Sequence, residues 1–386
     1  MARKIFVSAG EPSGDLHASR LVKEIKILDP SVVFMGMGGA NMASEGVRLF
    51  IRTDELAIVG FAILGHLKKI KEMFDTFLAN AEKERPDLVI LLDYPGFNLR
   101  LAKALKKRGI KVVYYISPQL WAWGKNRIYT VKKYVDKMLV FFPFEGELYK
   151  KHGIPVEAVG HPLLDIAKPA ADQKAIMERL RFDAAKKTII LLPGSRESEV
   201  TLLMPAMTTA IFELYKKHKN LQVIVVRASN LPQELLEQYL KTVDIPYRVV
   251  ENKGTEIYDY LSVSDLAIVA SGTATLECGL MNVPMIIAYK VSMFNAAIFK
   301  LFINVPYVGL VNILAGKKIV PELLQFDATP DKIYEEAEKI LFDGKTSGEI
   351  KKELLKVKES LGREGASRRA AKSVIELLGL NADHRS

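Results

Sequence analysis

Four short segments of this sequence place glycine, hydroxyl, carboxylate and guanidinium groups where an apolar run gives way to a helical pattern. The first is Ser8-Ala-Gly-Glu-Pro-Ser-Gly-Asp15. Its glycines allow close approach to the backbone, and the free N–H groups of a helix N-terminus suit an anion or a sugar hydroxyl. The spacing is not Gly-x-Gly-x-x-Gly, and Glu11 between Gly10 and Gly14 argues for hydroxyl recognition over a pyrophosphate. The second, Leu91-Leu-Asp93-Tyr-Pro-Gly-Phe-Asn98, puts a carboxylate just beyond a buried run. There Asp93 could accept a proton from an alcohol or simply cap the following helix; both readings stand equally.

The third segment, Leu191-Leu-Pro-Gly-Ser-Arg196-Glu-Ser-Glu, offers Gly194 and Ser195 ahead of a helix, and the planar fork of Arg196 for phosphate oxygens. The fourth, Ala270-Ser-Gly-Thr-Ala-Thr-Leu-Glu277, repeats the strand, small-residue turn and helix. Ser271, Gly272 and Thr273 suit a diphosphate, and Glu277, one turn into the helix, suits ribose hydroxyls. Each segment alone is a weak signal. Four in register on two tandem halves are not.

Other features point to surfaces. Leu56-Ala-Ile-Val-Gly-Phe-Ala-Ile-Leu-Gly-His-Leu67 runs straight into Lys68-Lys69-Ile-Lys. It is either ordinary core or an apolar face rimmed by lysines that meets lipid through Val59, Phe61, Leu64 and Leu67. Trp121 and Trp123 sit beside basic residues, which suits an interface or aromatic packing equally. Between Arg100 and Lys137 there are eleven Lys or Arg against one acid, Asp136, so this strip holds the whole net charge of +10. Such a field implies an anionic partner such as phosphate, acidic lipid or nucleic acid.

The six histidines show no close-spaced pair, and there is no Asp-x-Asp or Cys/His cluster, so no metal site is expected. Gly-x-Ser-x-Gly does not occur, so a nucleophilic serine is not indicated. The single Cys278 reads as a small buried hydrophobe in a reducing compartment.

These groups need a scaffold. The chain has 386 residues, 49% hydrophobic and 26% charged, a globular composition and enough for two or three domains. Apolar runs at 4–9, 32–36, 88–92, 111–116 and 138–142 alternate with helical patterns such as 16–28, 70–84 and 99–108. Strands apolar on both faces, spaced by helices, predict a doubly wound parallel sheet. The pattern weakens over 165–187, then restarts at 188–192, 222–226, 247–250, 266–270 and 284–289. The expectation is two Rossmann-like domains facing across a cleft, 1–168 and 169–345, with a helical segment 346–386. In such sheets ligands collect at the C-terminal ends of the strands. The N-terminal apolar run is too short for a secretory signal, and no run reaches the ~18 apolar residues of a spanning helix.

In order, Ala9–Asp15, Asp93–Asn98, Ser117-Pro-Gln-Leu-Trp-Ala-Trp123, Phe142-Pro-Phe-Glu145, Gly160-His-Pro162, Leu192–Arg196, Ser271–Glu277 and Val311-Asn-Ile-Leu-Ala-Gly316 resemble the motifs of bacterial lipid-A-disaccharide synthases over about residues 4–378. Pro12 and Tyr94-Pro-Gly depart slightly from that family's usual residues.

The resemblance implies a GT-B glycosyltransferase, peripheral on the cytoplasmic face of the inner membrane. It would join UDP-2,3-diacylglucosamine to 2,3-diacylglucosamine 1-phosphate, giving a β-1,6 disaccharide 1-phosphate and UDP, with no cofactor. It also implies that Asp93 is essential and a candidate base, that Arg196 and Asn312 are required and bind UDP, that a homodimer is plausible, and that segment 346–386 packs back on the first domain or exchanges with a partner protomer. Glu11 and His17 are the fallback bases, Ser13, Asp15 and Asn98 the candidate acceptor ligands, and an anionic membrane surface the expected partner. The competing readings are another GT-B sugar-nucleotide enzyme with a soluble acceptor, such as a muramyl-pathway transferase or UDP-sugar 2-epimerase, or a basic nucleic-acid-binding protein. The latter lacks any RRM, KH or helix-turn-helix signature.

Overall fold

The computed structural model describes residues 2–53, 63–118, 120, 126–241, 244–291 and 306–379, with only the backbone of Pro12 and of 63–67. Val59, Phe61, Trp121 and Trp123 lie outside the described residues, as do the side chains of Leu64 and Leu67.

The chain forms two units. One holds Met1–Pro162 with Arg363–Ser386, the other Leu163–Gly362. The sequence predicts boundaries at 168 and 345; the units divide beside Pro162 and at Gly362.

In the first unit the described strands are β1 (Lys4–Ala9), β2 (Val33–Gly38), β3 (Arg48–Arg52), β4 (Leu88–Leu92), β5 (Lys111–Tyr115), β6 (Lys137–Val140) and β7 (Val156–Ala158). They form a parallel sheet in the order β3-β2-β1-β4-β5-β6-β7. In the second unit β8 (Lys187–Leu192), β9 (Leu221–Ala228), β10 (Tyr247–Asn252), β11 (Leu266–Ala270), β12 (Met285–Tyr289) and β13 (Glu322–Leu324) make a parallel sheet ordered β10-β9-β8-β11-β12-β13. The central strands are buried end to end, as in Leu88-Val-Ile-Leu-Leu92 and Leu266-Ala-Ile-Val-Ala270. That burial is why they read as unbroken apolar runs.

Each strand order reverses once, between β1 and β4 and between β8 and β11. At such a switch point the helices leave in opposite directions, which opens a crevice beyond the strand ends. The register brings Ala9 beside Leu92 in one sheet and Leu192 beside Val269 in the other. All four chemistry-bearing segments therefore sit at switch points.

The tail of the chain is divided. Helices α14 (Pro330–Phe342) and α15 (Gly344–Ser360) pack within the second unit, and α16 (Ala366–Leu377) packs on α1 (Pro12–Leu28) in the first. Gly362 and Gly365, at φ 91° and 87°, make the turn between them. Arg369 fastens the returning helix by donating Nε–H to the Val159 carbonyl at 2.8 Å, and Ser373 donates to Glu157 at 2.7 Å.

Candidate functional site

In the first unit the site is built around a strained turn. After β4, Asp93 and Tyr94 both adopt left-handed backbone, at φ 46° and 44°. For residues with a Cβ this costs roughly 1–2 kcal/mol each, so the surroundings must hold it. Asn98, fully buried on α4 (Pro95–Lys106), does so: its amide donates to the carbonyls of Leu92 and Asp93, both at 2.8 Å. The Asn98 carbonyl oxygen accepts from Ser8 Oγ at 2.8 Å, and the Tyr114 hydroxyl donates to the Asp93 carbonyl at 2.7 Å. Gly10 completes the fit, because a Cβ there would lie 2.6 Å from Tyr94 Cδ1. Burial pushes the Asp93 carboxyl above the usual carboxylate range, opposed by the Tyr94 N–H. A desolvated, partly accessible carboxylate is a suitable proton acceptor for a hydroxyl.

The other expected residues of this unit separate into rim and frame. Glu11, which caps α1, and Ser13 are exposed. Asp15 is buried: Oδ1 accepts from the backbone N–H of Gly39 at 2.7 Å and Met42 at 3.2 Å, and Oδ2 from Asn41 N and Nδ2 at 3.0 and 2.9 Å. It caps the short α2 (Ala40–Ser44), so Asp15 and Asn98 brace loops where the sequence suggested acceptor ligands. The imidazole of His17 is pushed down to about 4 by burial and by the Arg20 charge, which leaves it neutral but weakly basic. Lys68 is exposed and Lys69 half-buried on α3 (Ile63–Glu84).

In the second unit the ends of β8, β9, β10 and β11 and the turn at Ser271–Ala274 surround a pocket of about 340 Å3. Gly194 (φ 116°), Ser195 and Arg196 form one wall, and Ser271, Gly272 and Thr273 another. Arg196 is the N-cap of α9 (Glu197–Lys217). Glu199 ties this wall together, accepting from the N–H of Ser195 and Arg196 at 2.9 and 3.2 Å and from Arg196 Nη1 at 2.7 Å. The Arg196 side chain is 77% exposed, so its guanidinium can leave Glu199 for a ligand at little cost. Helix α12 (Thr273–Leu280) aims its first N–H groups from the opposite wall.

Glu277 is not among the pocket-lining residues; burial raises its carboxyl, and it accepts from the Tyr258 hydroxyl at 3.1 Å. Asn312, expected as a nucleotide ligand, is fully buried on α13 (Leu310–Ala315). Its amide donates to Val320 O at 3.0 Å and to Glu322 Oε1 at 2.8 Å, and its oxygen accepts from Ile319 N and Val320 N at 2.7 and 3.1 Å. Asn312 is therefore linked to the pocket wall only through its neighbours. Glu322 accepts from Val308 N and Gly309 N at 3.0 and 2.9 Å, and Ser271 Oγ donates to Val308 O at 3.3 Å.

Sequence reading missed Tyr114, Glu199 and Glu322. The Arg196-x-x-Glu199 spacing could have signalled a capping box. Tyr114 and Glu322 carry no local signal, since their partners are remote in sequence. Among the described residues no three His, Cys, Asp or Glu side chains are grouped to hold a metal ion, and no helix is long and apolar enough to cross a membrane.

Known structures share this architecture. The S. aureus MnaA–UDP co-structure matches with TM-score 0.65 at 14% identity, over 100% of this chain and 99% of that one. Acinetobacter baumannii MurG matches with TM-score 0.61 at 12% identity, over 97% and 100%. These likenesses define a GT-B fold. In sequence, the lipid-A-disaccharide synthase of Geobacter sulfurreducens is 39% identical over 379 residues, 98% of each chain. The family model described as lipid-A-disaccharide synthetase matches residues 5–376, and the chain belongs to that family.

Proposed function

We propose that the chain is a hexosyltransferase that moves 2,3-diacylglucosamine from its UDP carrier to the 6-hydroxyl of 2,3-diacylglucosamine 1-phosphate. The products are the β-1,6 disaccharide 1-phosphate and UDP. The observation that carries the chemistry is Asp93, a carboxyl raised by burial at the β1/β4 switch point. Inversion from an α-linked donor to a β-linked product needs one in-line displacement by a hydroxyl that is a poor nucleophile at neutral pH. Asp93 takes its proton as the bond forms. Glu11 is the fallback base at the same switch point; His17, held near 4, is no more basic than a carboxylate.

In this reading the second unit holds the donor. The N-terminus of α12 and the Arg196 fork receive the diphosphate and neutralise the charge that develops on the leaving UDP, so no proton need be delivered to it. Glu277, outside the pocket lining, is assigned to the ribose on the condition that it releases the Tyr258 hydroxyl. The first unit takes the acceptor, with Ser13 at its rim.

The acyl chains place the enzyme at a bilayer. Exposed Lys68, Arg100, Lys103, Lys107, Lys132 and Lys133, with Tyr129 68% exposed among them, would meet anionic headgroups on the cytoplasmic face of the inner membrane. Val59, Phe61, Leu64 and Leu67 are assigned to the lipid contact, as in the sequence reading. A homodimer, with α16 of one copy filling on the other the place it fills here, belongs to the same reading. The deciding experiment is incubation of purified protein with UDP-2,3-diacylglucosamine and 2,3-diacylglucosamine 1-phosphate, followed by mass spectrometry. Disaccharide 1-phosphate and UDP in equal amounts support the reading. UDP without disaccharide, or turnover with a water-soluble acceptor alone, would replace it.

A further inference from the structure

Two buried nitrogens on α1 have no hydrogen-bonding partner, Nδ1 of His17 and Nη1 of Arg20. Three residues apart, they share one helical face. A buried donor without an acceptor is a standing cost, larger for a charged group than for a neutral one, so such atoms call for a missing partner.

The walls around them are aromatic. The His17 ring stands edge-on to Phe141 at 5.4 Å, and Phe141 packs on His161 at 4.8 Å and on Tyr115 at 5.4 Å. Burial pushes His161 down to about 3, with His17 adding to the effect, just as Arg20 adds to the depression of His17. Arg20 thus sets a positive charge beside His17, and each imidazole disfavours protonation of the other. Asp15, the carboxylate on the same helix, is committed to the N–H groups of Gly39, Asn41 and Met42. His161 belongs to the Gly160-His-Pro162 motif.

The cluster lies at the edge where the chemistry is placed. Tyr115 is the register partner of Leu92, the residue before Asp93. Phe141 follows β6, two strands from β4, or about 10 Å at the usual strand spacing. We propose that Arg20 and His17 bind the phosphate monoester of the acceptor, with His161 packed on Phe141 beside them. A phosphate has enough lone pairs to satisfy both unpartnered nitrogens at once, and its charge offsets that of Arg20, whereas a sugar hydroxyl lacks the charge. The chemistry is that of any phosphate monoester, and the sources are the acceptor or free inorganic phosphate. The assignment rests on the acceptor named above.

The test uses the full chain with labelled histidines, observed by NMR, and glucosamine 1-phosphate, glucosamine and inorganic phosphate as probes. Glucosamine 1-phosphate should shift the His17 and His161 signals saturably, and glucosamine should leave them in place. Arg20→Ala should weaken that binding roughly 10- to 100-fold, the range for one charge-assisted hydrogen bond, and Arg20→Lys by less. In turnover, Arg20→Ala should raise the acceptor KM by a similar factor with donor KM and kcat nearly unchanged, and should abolish the preference for a phosphorylated over an unphosphorylated acceptor. If Arg20→Ala fails to fold, Arg20→Lys and the wild-type probe comparison carry the test.

A folded Arg20→Ala protein that keeps both the shift and the acceptor KM overturns the proposal. So does inorganic phosphate binding as tightly as glucosamine 1-phosphate while the acceptor KM is unaffected by the substitution, which marks an adventitious ion only. Saturable glucosamine 1-phosphate binding in a protein that forms no disaccharide would support the phosphate site and remove the functional reading instead.

Discussion

At the β1/β4 edge the protein buries a carboxylate; at the β8/β11 edge it exposes a guanidinium. Both edges come from the same topology, a parallel sheet whose order reverses at its first strand. Asp93 is held by a left-handed turn, a buried amide and a tyrosine hydroxyl, and burial raises its carboxyl. Arg196 lies in the open on Glu199, beside backbone N–H groups and small residues. The difference fits the tasks proposed for the two edges. A base gains strength when its charge is poorly solvated, while a site for a nucleotide that must enter and leave needs donors in reach of solvent.

The largest expected effect breaks the comparison on the carboxylate side. Asp93→Asn preserves shape and removes the base, so turnover should fall by about 100-fold or more, with UDP affinity near wild type in calorimetry. Stability should move the other way. Because the folded pKa is raised, protonation of Asp93 favours the fold below its unfolded pKa, and that support is lost as pH rises through the folded value. At neutral pH the ionised carboxylate is therefore a burden, and the Asn variant should melt no lower than wild type. A clear fall in melting temperature together with near-normal turnover would show Asp93 to be a brace.

A second contrast lies in acid. His17 and His161, both in the first unit, have folded pKa values depressed to about 4 and about 3. A depressed histidine contributes stability that is present above its unfolded pKa near 6.5 and lost as pH falls toward the folded value. For His17 alone this amounts to about 3 kcal/mol at most. Asp93 in the first unit and Glu277 in the second are both raised by burial and gain from acid, so the two imidazoles make the difference. Calorimetry between pH 7 and 5 should therefore show the first unit's transition moving down more than the second's. Equal shifts would mean that the imidazoles are solvated.

The two edges were also unequally legible in the sequence. The central strands announced themselves, because burial on both faces leaves unbroken runs of Val, Ile and Leu. Strands β3, β7 and β13 were missed; all three lie at sheet edges, are short and are only partly buried. The positions of Asp93, Arg196 and Ser271 followed from strand ends alone. The parts played by Asp15, Asn98 and Asn312 did not, since a buried amide or carboxylate with every partner inside the protein looks, in one dimension, like a ligand-binding one. Their partners are distant in sequence, as with Asn98 and Ser8, and only the fold reveals them.

On the guanidinium side, Arg196→Lys keeps the charge and loses the fork. UDP affinity should fall by roughly 10- to 100-fold, the equivalent of about 1.5–3 kcal/mol for a charge-assisted contact. Because Arg196 is exposed, the melting temperature should hardly change. Unchanged affinity would remove Arg196 from the diphosphate and leave the N-terminus of α12 to act alone.

The smallest effect probes how far from the nucleotide the second edge is built. Glu322 has no place in the pocket lining, yet its two oxygens accept from Val308 N, Gly309 N and Asn312 Nδ2. Only a group that accepts on both sides fits there. In Glu322→Gln one oxygen becomes an NH2 that must face a backbone N–H, leaving a donor unsatisfied at about 1–3 kcal/mol. Part of that cost should be relieved by movement of residues 308–309, and Ser271, which donates to the Val308 carbonyl, should move with them. UDP affinity should then fall only a few-fold, with kcat nearly unchanged, and Glu322→Asp, which keeps both acceptors on a shorter stem, should recover part of the loss. A variant that loses melting temperature but binds UDP as tightly as wild type would confine Glu322 and Asn312 to holding the fold.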